Sequence, residues 1–256
     1  MTHVPGTTLE HARQRLRGII ESEHLLEERV SVRAGPLTPE QAIGTPERQD
    51  FPIVIGKESV VEAEVMGSRG HAFTDTPGTY EGTLRQVLEL ALDGNRSRAI
   101  FVASLNAVMA HLGLATATVH CRDDEPERCA EKIASSLRDR FGPVTVGLVG
   151  LNPAIAERLI EAFGRDRVLI TDLAADNVGS ERSGVEILDG HTRTEELIER
   201  SDLVVMTGTT LVNATFDPIR ERIGAGGKTG IVYGVTASGA EKSLGFERMC
   251  PFGHDG

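Results

Sequence analysis

Between residues 8 and 26, apolar residues recur at helical spacing: Leu9, Ala12, Leu16, Ile19 and Ile20, with charged side chains between them. Side chains three and four positions apart share a helix face, so the spacing predicts an amphipathic helix. The pattern changes to alternation over 30–34, a strand that Gly35-Pro36 would end. Thr38-Pro39-Glu40 and Thr45-Pro46-Glu47 both read as helix starts, with threonine as cap and proline in the first turn. Residues 51–58 show no period. Alternation returns over 60–66, with Val61, Ala63 and Val65 on one face. Gly67-Ser68-Arg69-Gly70 reads as a turn, and 71–74 as the returning hairpin strand. Helices are predicted over 83–92 and 98–112, a short strand over 116–121, and a helix over 124–141.

After Gly142-Pro143 the pattern becomes that of a buried sheet. Short apolar runs at 144–149, 167–172, 203–206 and 229–233 alternate with helical patterns at 153–163, 194–200 and 216–223. Apolar strands alternating with helices predict a doubly wound parallel sheet. We therefore divide the chain near Gly142, into an α+β unit over 1–142 and an α/β unit over 143–256. A tail at 247–254 is expected to fray.

Charge and composition narrow the function classes. The chain has 256 residues, a formal charge of -11 and no tryptophan. That charge opposes phosphate backbones and anionic membranes, and the scarcity of aromatics opposes base-stacking platforms, so neither nucleic acid nor membrane is expected as a partner. The opening Met1-Thr2-His3-Val4-Pro5-Gly6 lacks the basic and apolar regions of a secretion signal, and a cytoplasmic protein is expected. Its three cysteines are then expected as free thiols.

Two of those cysteines bound the run His120-Cys121-Arg122-Asp123-Asp124-Glu125-Pro126-Glu127-Arg128-Cys129. Asp124-x-x-Glu127 has capping-box spacing, which accounts for much of the acidity and turns Cys129 toward the core. His120 and Cys121 are not explained by a cap, but as neighbours on a strand they would face opposite sides. The cysteine spacing is not that of a zinc ribbon. Cys250 and His254 would extend a soft donor set if the fold brings them to Cys121.

Further on, Gly147 and Gly150 follow the first strand of the second unit as in a dinucleotide fingerprint. The third glycine is missing, and Pro153 stands where the helix opens, which opposes pyrophosphate binding. Asp172 ends the next strand, either as a ribose acceptor or as a cap. The loop from Thr207 through Thr209 to Asn213, and Thr236 after the last strand, lie on the rim where such sheets bind ligands. Lys57-Glu58 is an adjacent charged pair whose plain reading is two solvated side chains. No nucleophile elbow, zincin motif or Walker loop is present.

Together, Arg48-Gln49-Asp50-Phe51-Pro52 through Gly56-Lys57-Glu58, Ala72-Phe73-Thr74-Asp75, the run 99–108, the run 118–130, Asp172 with Asn177, and the 207–215 loop resemble a bacterial and archaeal family described as heavy-metal chelation proteins. The resemblance implies an N-terminal domain similar to the enolase N-terminal fold over 1–142 and a Rossmann-like domain over 143–256. It also implies a site in the cleft between them. Lys57 and Glu58 (catalytic candidates), Asn106, His120 and Cys121 would come from one side. Asp172, Asn177, Thr207, Thr209, Asn213 and Thr236 would bind cofactor or ligand from the other. His120, Cys121 and Cys250 would be metal ligands. The expected function is binding of a transition metal or metal-bearing small molecule, with metal insertion as a catalytic variant in which Glu58 takes displaced protons. The alternative is an enzyme using an adenosyl cofactor, S-adenosylmethionine before NAD because of the missing glycine. A non-catalytic ligand sensor or carrier is a third reading. A homodimer is compatible with the pattern, although no stripe specifies one.

Overall fold

The computed structural model describes residues 7–23, 25 and 31–256; of the predicted elements, Leu26, Val30 and the opening Met1 to Gly6 lie outside them. Among the described residues the chain forms a mixed α/β structure with two sheets, one antiparallel and one largely parallel.

Helix α1 (Thr8–Ser22) begins where the Thr7 hydroxyl accepts the Glu10 N–H, and it buries the predicted Leu9, Ala12, Leu16 and Ile20. Strand β1 (Ser31–Pro36) leads to the short helix α2 (Pro39–Ile43), where Thr38 and Gln41 form a reciprocal capping box. The second expected start, at Thr45, forms no helix. Its N–H instead donates to Asp123 Oδ1 at 2.9 Å, drawing this segment onto the loop before the fifth helix. Strands β2 (Ser59–Val65) and β3 (Ser68–Thr74) make the predicted hairpin. Its turn is only Met66-Gly67, both at positive φ (51° and 83°), so the returning strand starts earlier than the sequence pattern placed it. Strand β4 (Tyr80–Thr83) and helix α3 (Leu84–Leu88) follow, then α4 (Asn95–His111). The antiparallel sheet runs β3-β2-β1-β4, and α4 lies across it. Gly70 permits that close approach, since a Cβ there would sit 2.4 Å from the Ala107 nitrogen.

The 116–121 segment is not a strand. It is irregular chain, with Ala117 at a φ of 52° and a single bridge, between Val119 and His254. Helix α5 (Glu125–Phe141) begins without the expected capping box. Asp124 is itself near-helical (φ −85°, ψ −12°) and makes no cap bond. Glu125 Oε2 accepts the Arg122 N–H at 2.8 Å, and Glu127 is taken by Arg48.

The parallel sheet contains β5 (Val146–Val149), β6 (Val168–Asp172), β8 (Val185–Asp189), β9 (Leu203–Thr207) and β10 (Thr229–Tyr233), with β7 (Glu181–Arg182) antiparallel at one edge and β11 (Glu247–Met249) at the other. Their order is β11-β10-β9-β5-β6-β8-β7. Helices α6 (Pro153–Phe163), α7 (Thr194–Arg200), α8 (Thr209–Val212), α9 (Phe216–Ala225) and α10 (Glu241–Leu244) connect them. Although α5 precedes Gly142, its Ile133 and Leu137 share a core with Leu148, Leu159 and Phe163 of the parallel layer.

The tail is ordered, contrary to expectation. β11 extends the sheet in parallel with β10, and Asp255 Oδ1 accepts the Ala117 N–H at 2.7 Å. Among the described residues no helix is long and apolar enough to cross a membrane.

Candidate functional site

Chain connection reverses direction across the sheet at β5, which has β6 on one side and β9 on the other. Such a switch point leaves a crevice at the strands' carboxyl ends. A cavity of about 660 Å³ occupies it, reached by Val149, Asp172, Thr207 and Tyr233 from the strand ends. The 51–58 turn, Phe73, Asp75 and the 120–130 region close the other side.

One wall carries sulfur and imidazole. His120, Cys121, Cys129 and Cys250 all line the cavity. Because 116–121 is not a pleated strand, adjacent His120 and Cys121 reach it together, which strand geometry would forbid. His120 Nδ1 lies 2.6 Å from the Cys121 carbonyl oxygen, which can only accept, so Nδ1 carries the proton and Nε2 the lone pair. Burial holds the imidazole neutral, its pKa lowered to about 4. His71, fully buried behind it, accepts the His120 N–H on Nδ1 at 3.2 Å and donates from Nε2 to Glu62 at 2.9 Å. Both nitrogens of His71 are thus committed to holding the 120 segment.

The Cys121 thiol donates to Cys129, which raises the first and lowers the second, so the pair parts readily with only one proton. Burial pushes the Cys250 thiol up to about 12, with the Cys129 charge adding to it. All three cysteines are free.

The cavity also carries acidic groups. Glu58 is half-buried and lines the cavity. Burial raises its pKa to about 7, helped by the charges of Asp172 and Asp75. Burial also raises that of Tyr233, whose hydroxyl donates to the Gly150 carbonyl at 3.2 Å. Lys57 turns outward, its Nζ 3.5 Å from Asp176 and 3.4 Å from Asn177 Oδ1.

Several expected ligand contacts are already spent on the protein. Asp172 accepts the N–H groups of Leu151 (2.7 Å) and Ala174 (2.8 Å) and the Asn177 amide (3.1 Å), the geometry of a loop cap. Thr207 Oγ1 donates to Thr209 Oγ1 and accepts the Thr209 N–H. Asn213 Oδ1 caps Thr215, and Thr236 Oγ1 accepts the Phe73 N–H at 3.1 Å. Asp172, Asn177, Thr207, Thr209, Asn213 and Thr236 all still line the cavity. Asn106 does not. It is fully buried, with Nδ2 donating to His71 and Val235 carbonyls and Oδ1 accepting the Gly239 N–H, so its work is to join α4 to the 235–239 loop rather than to bind a cofactor. Asn152 caps α6 by accepting the Ile155 N–H, which, with the missing glycine, removes the pyrophosphate seat that NAD would need.

Cys129, Tyr233 and Thr171 are cavity residues that sequence reasoning did not select. Cys129 was within the flagged run, yet its helical position pointed to the core. Nothing in the pattern around Thr171 or Tyr233 separates them from ordinary strand residues.

As a metal site, the thiol wall fits in chemistry but not in number. Thiolate and neutral imidazole suit soft and borderline transition metals. Yet among the described residues no three His, Cys, Asp or Glu side chains converge so as to hold an ion.

Residues 134–247 match the model of the DUF364 family, whose description is "Putative heavy-metal chelation", and the resemblance read from the sequence is borne out there. Among solved structures the chain is similar to a DUF364 protein of unknown function from Pyrococcus horikoshii (14% identity, TM-score 0.51, covering 93% of this chain and 82% of that one). It is also similar to one from Desulfitobacterium hafniense DCB-2, likewise of unknown function (15% identity, TM-score 0.50, covering 72% and 71%). At these identities the likeness is one of fold. Among curated proteins none matches.

Proposed function

For a chain matched over residues 134–247 by that chelation family, we propose that the cavity binds a small organic molecule bearing a transition metal, with the thiol wall addressing the metal. The carrying observation is that Cys121, Cys129, Cys250 and the Nε2 side of a neutral His120 share one wall of a single cavity. Size supports an organic partner. A cavity of about 660 Å³ is far larger than one ion needs and lies in the range of small-molecule sites. The donor count supports it too: with fewer than three converging ligands, the metal would arrive with ligands of its own. In this reading the N-terminal part is the enolase-N-terminal-like domain, the C-terminal part the Rossmann-like domain, and the cavity the cleft between them. Thiol donors bind metal as thiolates, so capture releases protons, and Glu58, its pKa raised to about 7, is a cavity carboxylate suited to accept one. No observation favours an adenosyl cofactor, because the Asp172 carboxylate serves its own loop.

Untagged protein prepared without chelators, examined by native mass spectrometry with elemental analysis, tests the proposal. Near-stoichiometric transition metal travelling with an organic mass, and lost in Cys121→Ser, is expected. Protein free of both, which takes up neither on incubation with metal chelates, would overturn it.

A further inference from the structure

Glu58 differs from every other charged side chain on the cavity wall in having no hydrogen bond or ion pair among the described residues. Asp75 accepts from Thr76 and Asn95, Asp172 from its loop, and Lys57 is turned onto Asp176. Arg222, at the rim, pairs with Glu195 and Glu199. Thr171 is fully buried, lines the cavity, and holds a hydroxyl without a partner among the described residues. A half-buried carboxylate with no counter-charge is costly, and the cost is relieved when a ligand supplies a cation or donor. Asp172 and Asp75 deepen the negative field around it. No basic side chain on the wall is free to meet an anion, and the adjacent helix start is occupied by its own Asn152 cap.

We infer that the occupant carries a cationic nitrogen group, an amine or amidine, that docks on Glu58 beside Asp172 and Thr171, so that a metal-bearing occupant is an amine-type chelate and not a polycarboxylate or phosphate one. The metal half of this statement rests on the chelation reading; the nitrogen half does not.

Equilibrium dialysis of the full chain tests it, using the nickel complexes of triethylenetetramine and of citrate, free triethylenetetramine, and nickel ion. On the wild-type protein alone, the cationic tetramine complex should bind at least about tenfold more tightly than the anionic citrate complex, since like charge is strongly disfavoured in an enclosed site. Free tetramine should bind as well and should weaken at least about tenfold in Glu58→Gln. Citrate complex bound as tightly as tetramine complex, or tetramine held equally by a folded Glu58→Gln protein, would overturn the inference. The two readings fail separately. Free tetramine bound through Glu58, with no nickel species retained, keeps the inference and removes the chelation reading. Nickel retained through Cys121 without preference between the complexes does the reverse.

Discussion

Replacing Glu58 by glutamine should stabilise the protein at alkaline pH and leave it unchanged in acid. The carboxyl has a pKa of about 7 in the folded chain against an ordinary value of 4.5, with burial the main cause. Between those values the folded state holds the proton that the unfolded state has released, so stability falls as pH rises. The contribution is fully present below pH 4.5 and is lost once pH passes 7. A gap of this size corresponds to at most about 3 kcal/mol, reduced by whatever water the cavity admits. Glutamine keeps the shape and cannot ionise. The difference in stability between variant and wild type should therefore grow through the pH 4.5–7 window and level off above it. For a chain of this size the plateau amounts to about 5–10 °C in melting temperature. Thermal unfolding by circular dichroism at five pH values between 4 and 9 would measure it, and histidine titrations common to both proteins cancel in the difference. Parallel curves across that range would refute the reasoning, because they would mean Glu58 is as well solvated in the folded chain as in the unfolded one.

Two further expectations concern the cavity's supports. Asn106→Ala strands the buried Gly239 N–H and the His71 carbonyl, and should cost about 2–4 kcal/mol in urea unfolding, whatever ligand is present. Gly150→Ala places a Cβ 2.6 Å from Thr207 Cγ2 at a φ of +85°, and should cost about 2–3 kcal/mol. Adding Thr207→Ser should recover only the steric part, which a double-mutant cycle in thermal melts would separate from the backbone part.

The elements that sequence alone located well are those whose signals are local. α6 carries a full apolar stripe between punctuating residues, α7 buries its Leu197-Ile198 pair, and β10 is an apolar run through Ile231-Val232-Tyr233; all three have the bounds the pattern implied. The failures share a different origin, a distant partner. Residues 116–121 look like a strand, but they meet β3 and the tail through separate single bonds, and only Val119 and His254 form a bridge. The Thr45 start was outcompeted by Asp123, and the Asp124 capping box by Arg122 and Arg48. The site divides in the same way. The chemistry of Cys121 and His120 was visible in residue type, whereas Glu58 read as a solvated charge and became a candidate only through the family resemblance. That Cys129 and Cys250 join them, and that Asn106 turns away, depends on paths through the fold that no local spacing encodes.

The stitching of the tail also sets an order in time. His254 pairs with Glu125, and Asp255 with Ala117, across 129 and 138 residues of chain. At roughly 5–20 residues per second of synthesis, Cys121 and Cys129 leave the ribosome on the order of ten seconds before the segment bearing Cys250 exists. During that interval the nascent chain displays a thiol pair with its final covering absent. Metal met then would encounter a different set of donors from the one the finished cavity offers, so loading before and after release of the chain are chemically distinct events.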